Sequence, residues 1–148
     1  MAKFVFGFEQ LLNIKRKIEK QEQMNLGKAM KALSASMQKL EITKYHYNDS
    51  VKGFQNSLSS NRIDPTKIKR LNVNVAFYHT QVKEQEALVT RNEDIVEKAR
   101  EKLKLALKER KTFEILKEKA YEVYMEEEKA VEAKVIDEIV SFKYKDER

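Results

Sequence analysis

Valines at positions 75, 82, 89 and 96, continued by Leu103, recur every seven residues without a slip. Three residues after each stand Tyr78, Gln85, Asn92, Ala99 and Ala106, and Phe113, Ala120, Tyr124 and Val131 keep nearly the same rhythm further on. A sustained seven-residue repeat lays one narrow stripe along a helix, and such a stripe is buried only against another helix. A second series lies earlier in the chain. Leu26, Leu33, Leu40, Tyr47 and Phe54 recur every seven residues, with Met30, Met37, Val51 and Leu58 four positions later and Lys44 as the one polar break in that inner row.

A single interruption, Ser57 to Pro65, separates the two series and holds the only proline. Serine and asparagine compete with the helix for backbone hydrogen bonds. Asp64 before Pro65 is a restart signal, because aspartate accepts from the free first-turn amides and proline needs no amide partner at the first helical position. The interruption is short, so the helices are expected to fold back on one another. The predicted fold is all-α, an antiparallel two-helix coiled-coil hairpin with unequal arms and a rod shape, forming a single domain over residues 1–148. Helix one is expected over about residues 4–58, the tip loop over about 59–64 and helix two over about 65–145.

With the apex near Asn61 and Arg62, residue i faces roughly residue 123 − i. Phe4 then faces about residue 119, and helix two continues alone for about 25 residues, nearly 40 Å. That overhang carries Val131, Val135, Ile139 and Phe142 at helical spacing, after Tyr121, Val123 and Tyr124. An exposed apolar stripe of this kind marks an interaction site. The seam is expected to be softer in its middle, where Ala29, Ala32, Ala35, Ala99 and Ala106 bury little area. It is expected to be richer towards the tip, with Tyr47, Phe54, Leu58, Leu71, Val75 and Tyr78.

Composition changes this picture little. Charged residues are 36% of the chain and hydrophobic ones 41%, with three glycines, the profile of long helices. The net charge of +6 is uneven. Residues 1–64 hold eleven Lys or Arg against six acids, and residues 65–148 nineteen against eighteen. A basic first arm admits nucleic acid as a partner, but a solvated helix face is the commoner meaning, and no dense basic block leads into a parallel zipper. Without cysteine there is no disulfide framework or thiolate metal site. No apolar run reaches the roughly 18 residues of a membrane span, and the start lacks a signal-peptide pattern, so a cytoplasmic protein is expected.

Catalytic chemistry is not expected. The glycines stand alone at 7, 27 and 53, so no phosphate-binding loop forms. His46 and His79 approach one another by the pairing estimate, but seam-edge histidines are far commoner than a zinc site. Glu126-Glu127-Glu128 reads as a solvated face. A two-helix rod has no pocket from which to exclude water. The chain is therefore expected to be non-enzymatic, with no catalytic, cofactor or metal residues.

The opening Phe4-x-Phe6-x-Phe8-x-x-Leu11-Leu12, the stretch Glu109-Arg110-Lys111-Thr112-Phe113-Glu114-Ile115-Leu116-Lys117-Glu118-Lys119 and the late Asp137-Glu138-Ile139 resemble the FliJ family, the small coiled-coil component of flagellar type III export. Length and the proline-bearing tip agree. Gly7 departs from the family's usual polar or basic residue and leaves the first turn of helix one open. The resemblance implies a fold like the central stalk of rotary ATPases. It also implies promotion of the assembly and activity of the export ATPase FliI, contact with the export gate protein FlhA, and binding of export chaperones. By this resemblance Phe4, Phe8, Leu11, Asp137, Glu138 and Phe142 belong near the ATPase, and Leu71, Val75, Tyr78 and Val82 near the gate, unless the latter simply pack the seam. The protein would be peripheral at the cytoplasmic face of the inner membrane when assembled.

Other classes remain open on the residues alone. A self-associating coiled coil would bury the overhang by oligomerising. A holdase-type chaperone of the prefoldin kind would need β-hairpins for which the short loop leaves no room. The equivalent stalk of a virulence type III system differs only in its end motifs.

Overall fold

The computed structural model describes residues 3–146. Two helices, α1 over Glu9–Leu58 and α2 over Pro65–Asp146, pack as a helical hairpin with arms of 50 and 82 residues. Contacts group into two compact units, one of residues 22–103 and one of residues 1–21 with 104–148.

The unit of residues 22–103 contains the tip. Asp64 caps α2: its carboxylate accepts from the Thr66 amide at 3.1 Å and its carbonyl from the Ile68 amide at 3.1 Å. Pro65 takes the first helical position, where a missing amide costs nothing. At the other side of the loop the Ser59 amide donates to the Gln55 carbonyl and the Ser60 hydroxyl to that of Arg62. His46 meets Tyr78, one residue from the position the pairing estimate gives.

The α2 stripe lies in the seam of this unit as its period predicts. Val89, Val96, Ala99 and Gln85 are buried, and Val75, Tyr78, Val82, Asn92 and Leu103 are half-buried. On α1 the leucine series is inward, and of its companion row Val51 is half-buried as expected, but the rest is corrected. Met30, Met37 and Leu58 lie about half exposed, and the positions one earlier, Ala29, Ser36, Thr43, Ser50 and Ser57, turn inward instead. The reason is steric. Small side chains let two helix backbones approach closely, and the longer methionine side chain does not fit that gap. The same close approach corrects the expectation of a soft middle. Ala29, Val96 and Ala99 form the buried cluster, with Leu26 and Leu33 packed on it. The bulky tip residues Tyr47, Phe54, Leu71 and Val75 remain only half-buried.

Two of the polar residues that α2 brings to this seam have different outcomes. The Asn92 amide donates across the hairpin to the Ala32 carbonyl at 3.4 Å. Gln85 is buried, and its Oε1 meets no donor among the described residues. A buried acceptor without a partner costs stability. Gln85→Leu is therefore expected to stabilise by about 1–2 kcal/mol, a rise in Tm of about 3–6 °C for a chain of this size, read by thermal denaturation at 222 nm.

In the unit of residues 1–21 with 104–148 the chain does not enter a helix at residue 4. The Glu9 amide donates to the Phe6 carbonyl at 3.1 Å, closing a turn over Gly7 and Phe8, and the Leu12 amide donates to the Phe8 carbonyl at 2.9 Å as the first helical bond. Glycine disfavours the helix, and an acid at the first helical position complements its dipole. Phe6 tucks in, Leu12 is fully buried, and Ala106 of the α2 stripe is buried. The seven-residue repeat of α2 passes through this unit with Arg110 and Lys117 on it, both only partly exposed.

Candidate partner-binding sites

Charge holds the inner row of the second unit. Lys15 Nζ lies 2.9 Å from Glu109, one residue from the estimated pairing, Lys117 Nζ 2.8 Å from Glu9, and Arg16 3.6 Å from Glu114. Arg110 reaches two acids, Glu19 through Nε and Glu114 at 2.6 Å through Nη1. The hydrogen bond to Glu19, reinforced by Glu114, holds its guanidinium above the ordinary value against the cost of desolvation. These pairs were not read from the sequence, because a search for apolar positions passes over Arg110 and Lys117. The signal was present as Glu9, Lys15 and Glu19 at matching positions on the other arm.

Aromatic residues close this seam. Phe4 packs edge-on against Tyr121, with ring centres 5.2 Å apart, and against Tyr124 at 5.4 Å. Phe8 meets Phe113 at 6.3 Å and Phe6 at 5.9 Å. Burial, then the charge of Glu128 and the neighbouring Tyr121, push the Tyr124 phenol above its usual range. Pairing therefore extends beyond residue 119, through Tyr124. Every residue from Lys129 to Lys145 is exposed while remaining helical.

Of the residues assigned to the ATPase side, Phe4 is half-buried under the tyrosines, and Phe8 and Leu11 present exposed surface beside the seam. Asp137, Glu138 and Phe142 lie on the bare part of α2, lining a shallow groove with Lys134, Ser141 and Lys145. Phe142 is 70% exposed.

The residues assigned to the gate side, Leu71, Val75, Tyr78 and Val82, are half-buried in the unit of residues 22–103. Tyr78 stacks on His46 at 5.8 Å, flanked by Tyr45 on His46 and by Phe77 on Tyr78, so four rings run in contact. Tyr45 and Phe77 are more exposed than the residues the pattern singled out. His79 takes Tyr47 at 5.7 Å. The outward methionines create a further surface. Met30, Leu33, Met37, Ile42, Val96 and Arg100 line an open apolar groove. Sequence reading missed it by placing those methionines in the seam.

The fold is an all-α helical hairpin whose α2 ends in an exposed apolar stripe. Its family follows from comparison. The family model described as Flagellar FliJ protein matches residues 4–148, and the chain belongs to that family, a component of flagellar protein export. No curated protein and no solved structure matches. Among the described residues no helix is long and apolar enough to cross a membrane.

Proposed function

We propose that this chain is a non-enzymatic stalk and adaptor of flagellar protein export. In this reading it promotes assembly and activity of the ring of the export ATPase FliI, and links that ring to the export gate protein FlhA and to export chaperones. It acts at the cytoplasmic face of the inner membrane. The observation that carries the reading is the exposed helix of residues 129–145 in a chain of the FliJ family. A helix end with an apolar stripe and no partner of its own suits insertion into a ring of subunits.

The ATPase-facing surface is then Asp137, Glu138 and Phe142 on α2 with Phe4, Phe8 and Leu11 near the turn. The gate-facing surface is the tip side, where Leu71, Val75 and Val82 hold the helix in register and Tyr78 sits within the ring row that Phe77 and Tyr45 expose. The test is ATP hydrolysis by the cognate export ATPase with and without this protein, near the concentration at which the ring assembles. Stimulation at about one chain per ring is the expected result. An active ATPase that ignores the folded protein across that range would overturn the stalk reading.

A further inference from the structure

The bare end of α2 has a charge pattern of its own. Glu128, Val131, Val135, Glu138, Phe142 and Lys145 are spaced three and four residues apart in alternation, so they share one face. Acid stands at the start of this face and base at the end, with Val131, Val135 and Phe142 between them and Glu138 as a second acid among these. Among the described residues none of these charges joins an ion pair, since the pairs there stop at Lys117. From Val131 onward the face is exposed, with Val131 and Phe142 each more than half accessible, while Glu128 is half-buried at the edge of a groove that it and Val131 line with Phe4 and Val5.

Such a face complements itself in one orientation only. Laid parallel, two copies put Glu128 on Glu128, Glu138 on Glu138 and Lys145 on Lys145, which repels at every charged layer. Laid antiparallel with Glu128 opposite Lys145, the same shift puts Val131 opposite Phe142 and Val135 opposite Glu138, each twice by symmetry. It also brings Lys134 of one copy beside Glu138 of the other. Exposed ion pairs add little affinity, but they decide orientation. Attraction comes from Val131, Val135 and Phe142, with Ile139 beside them.

We propose that two copies of this chain pair antiparallel through residues 128–145 of α2, Glu128 of each against Lys145 of the other. The inference does not depend on the export reading. An interface confined to about 27 Å of helix belongs to the small, transient class, so the dimer is sought at about 10–500 µM.

The test is independent of any ATPase: sedimentation equilibrium of the full chain, of Glu128→Lys, of Lys145→Glu and of an equimolar mixture of the two variants. The expected result is a concentration-dependent dimer for the native chain, about tenfold weaker association for each variant alone, and recovery on mixing, because the mixed pair restores both opposite-charge contacts. A native chain that stays monomeric to about 500 µM overturns the proposal, and so does a dimer indifferent to both charge reversals. Orientation is checked separately in a chain whose sequence has no cysteine. Val131→Cys is expected to cross-link with Phe142→Cys on mixing and not with itself, and self-cross-linking of Val131→Cys at equal yield would reject the antiparallel arrangement.

Discussion

Val96→Asp is expected to unpair the helices across residues 22–103. Val96 is 4% exposed and lies in the buried cluster with Ala29 and Ala99, beneath Leu26 and Leu33. No basic side chain belongs to that cluster. A carboxylate there is desolvated, with Arg100 one turn along as the cation beside it, and costs about 3 kcal/mol, out of a total stability for a protein of ordinary size of about 5–15 kcal/mol. Circular dichroism at 222 nm with thermal denaturation reads the effect: a fall in Tm of at least ~8 °C or loss of a cooperative transition is expected. Val96→Ala separates size from charge and is expected to lose about 2 kcal/mol, by removal of two methyl groups and a small cavity. Val73→Asp, on an exposed side chain of the same helix, is expected to stay within about 0.5 kcal/mol of the native chain. Equal melting of Val96→Asp and Val73→Asp would show that the seam does not run through Val96.

The physics of that seam explains which parts of the fold the sequence disclosed. The valine series of α2 and the leucine series of α1 are visible because each is apolar at one fixed period, and burial selects for that. The restart at Pro65 is visible because capping is local chemistry, confined to Asp64 and the next few amides. The second inner row of α1 was hidden. Hydrophobicity favoured Met30 and Met37, whereas close packing selected Ala29 and Ser36 one position earlier. Shape, not polarity, made that choice, and shape belongs to the pair of helices rather than to either sequence stretch. Arg110 and Lys117 were hidden for the opposite reason. They are charged residues on an apolar repeat, tolerated because Glu19 and Glu9 neutralise them from the other arm. The start of α1 depended on Gly7 and the turn over Phe8, which delays the helix to Glu9.

The surfaces were less legible than the seam. Leu71, Val75 and Val82 stand out in the sequence because they are periodic, and periodicity marks what the hairpin buries for itself. Tyr45 and Phe77 lie off the repeat, and for that reason they remain open for contact. At the bare end periodicity and exposure coincide. Its stripe was found from spacing alone, and its isolation follows from the unequal lengths of α1 and α2.

Removing residues 129–148 is expected to abolish stimulation of the export ATPase while leaving the hairpin intact. The cut falls after Tyr121 and Tyr124, on which Phe4 rests, and takes from the groove beside Phe4 only the exposed Val131. No described ion pair is lost, because the last one joins Lys117 to Glu9. The Tm should therefore stay within about 2 °C of the native value, as expected for loss of exposed helix without buried contacts. If the bare stripe is the docking end, the truncated chain lacks Val131, Val135, Ile139 and Phe142, and ATPase stimulation falls at least about tenfold, which corresponds to losing about 1.4 kcal/mol or more of binding. Phe142→Ala in the full chain is expected to lose part of the same effect, because a large, 70% exposed ring is the strongest apolar anchor on this face. The charge reversals that weaken self-pairing distinguish the two uses of this end. A mixture of Glu128→Lys and Lys145→Glu chains recovers pairing by complementation between copies, but docking of one chain into a ring receives no such rescue. Full stimulation by the truncated chain would move the docking surface to Phe4, Phe8 and Leu11 and leave the bare end to self-pairing alone.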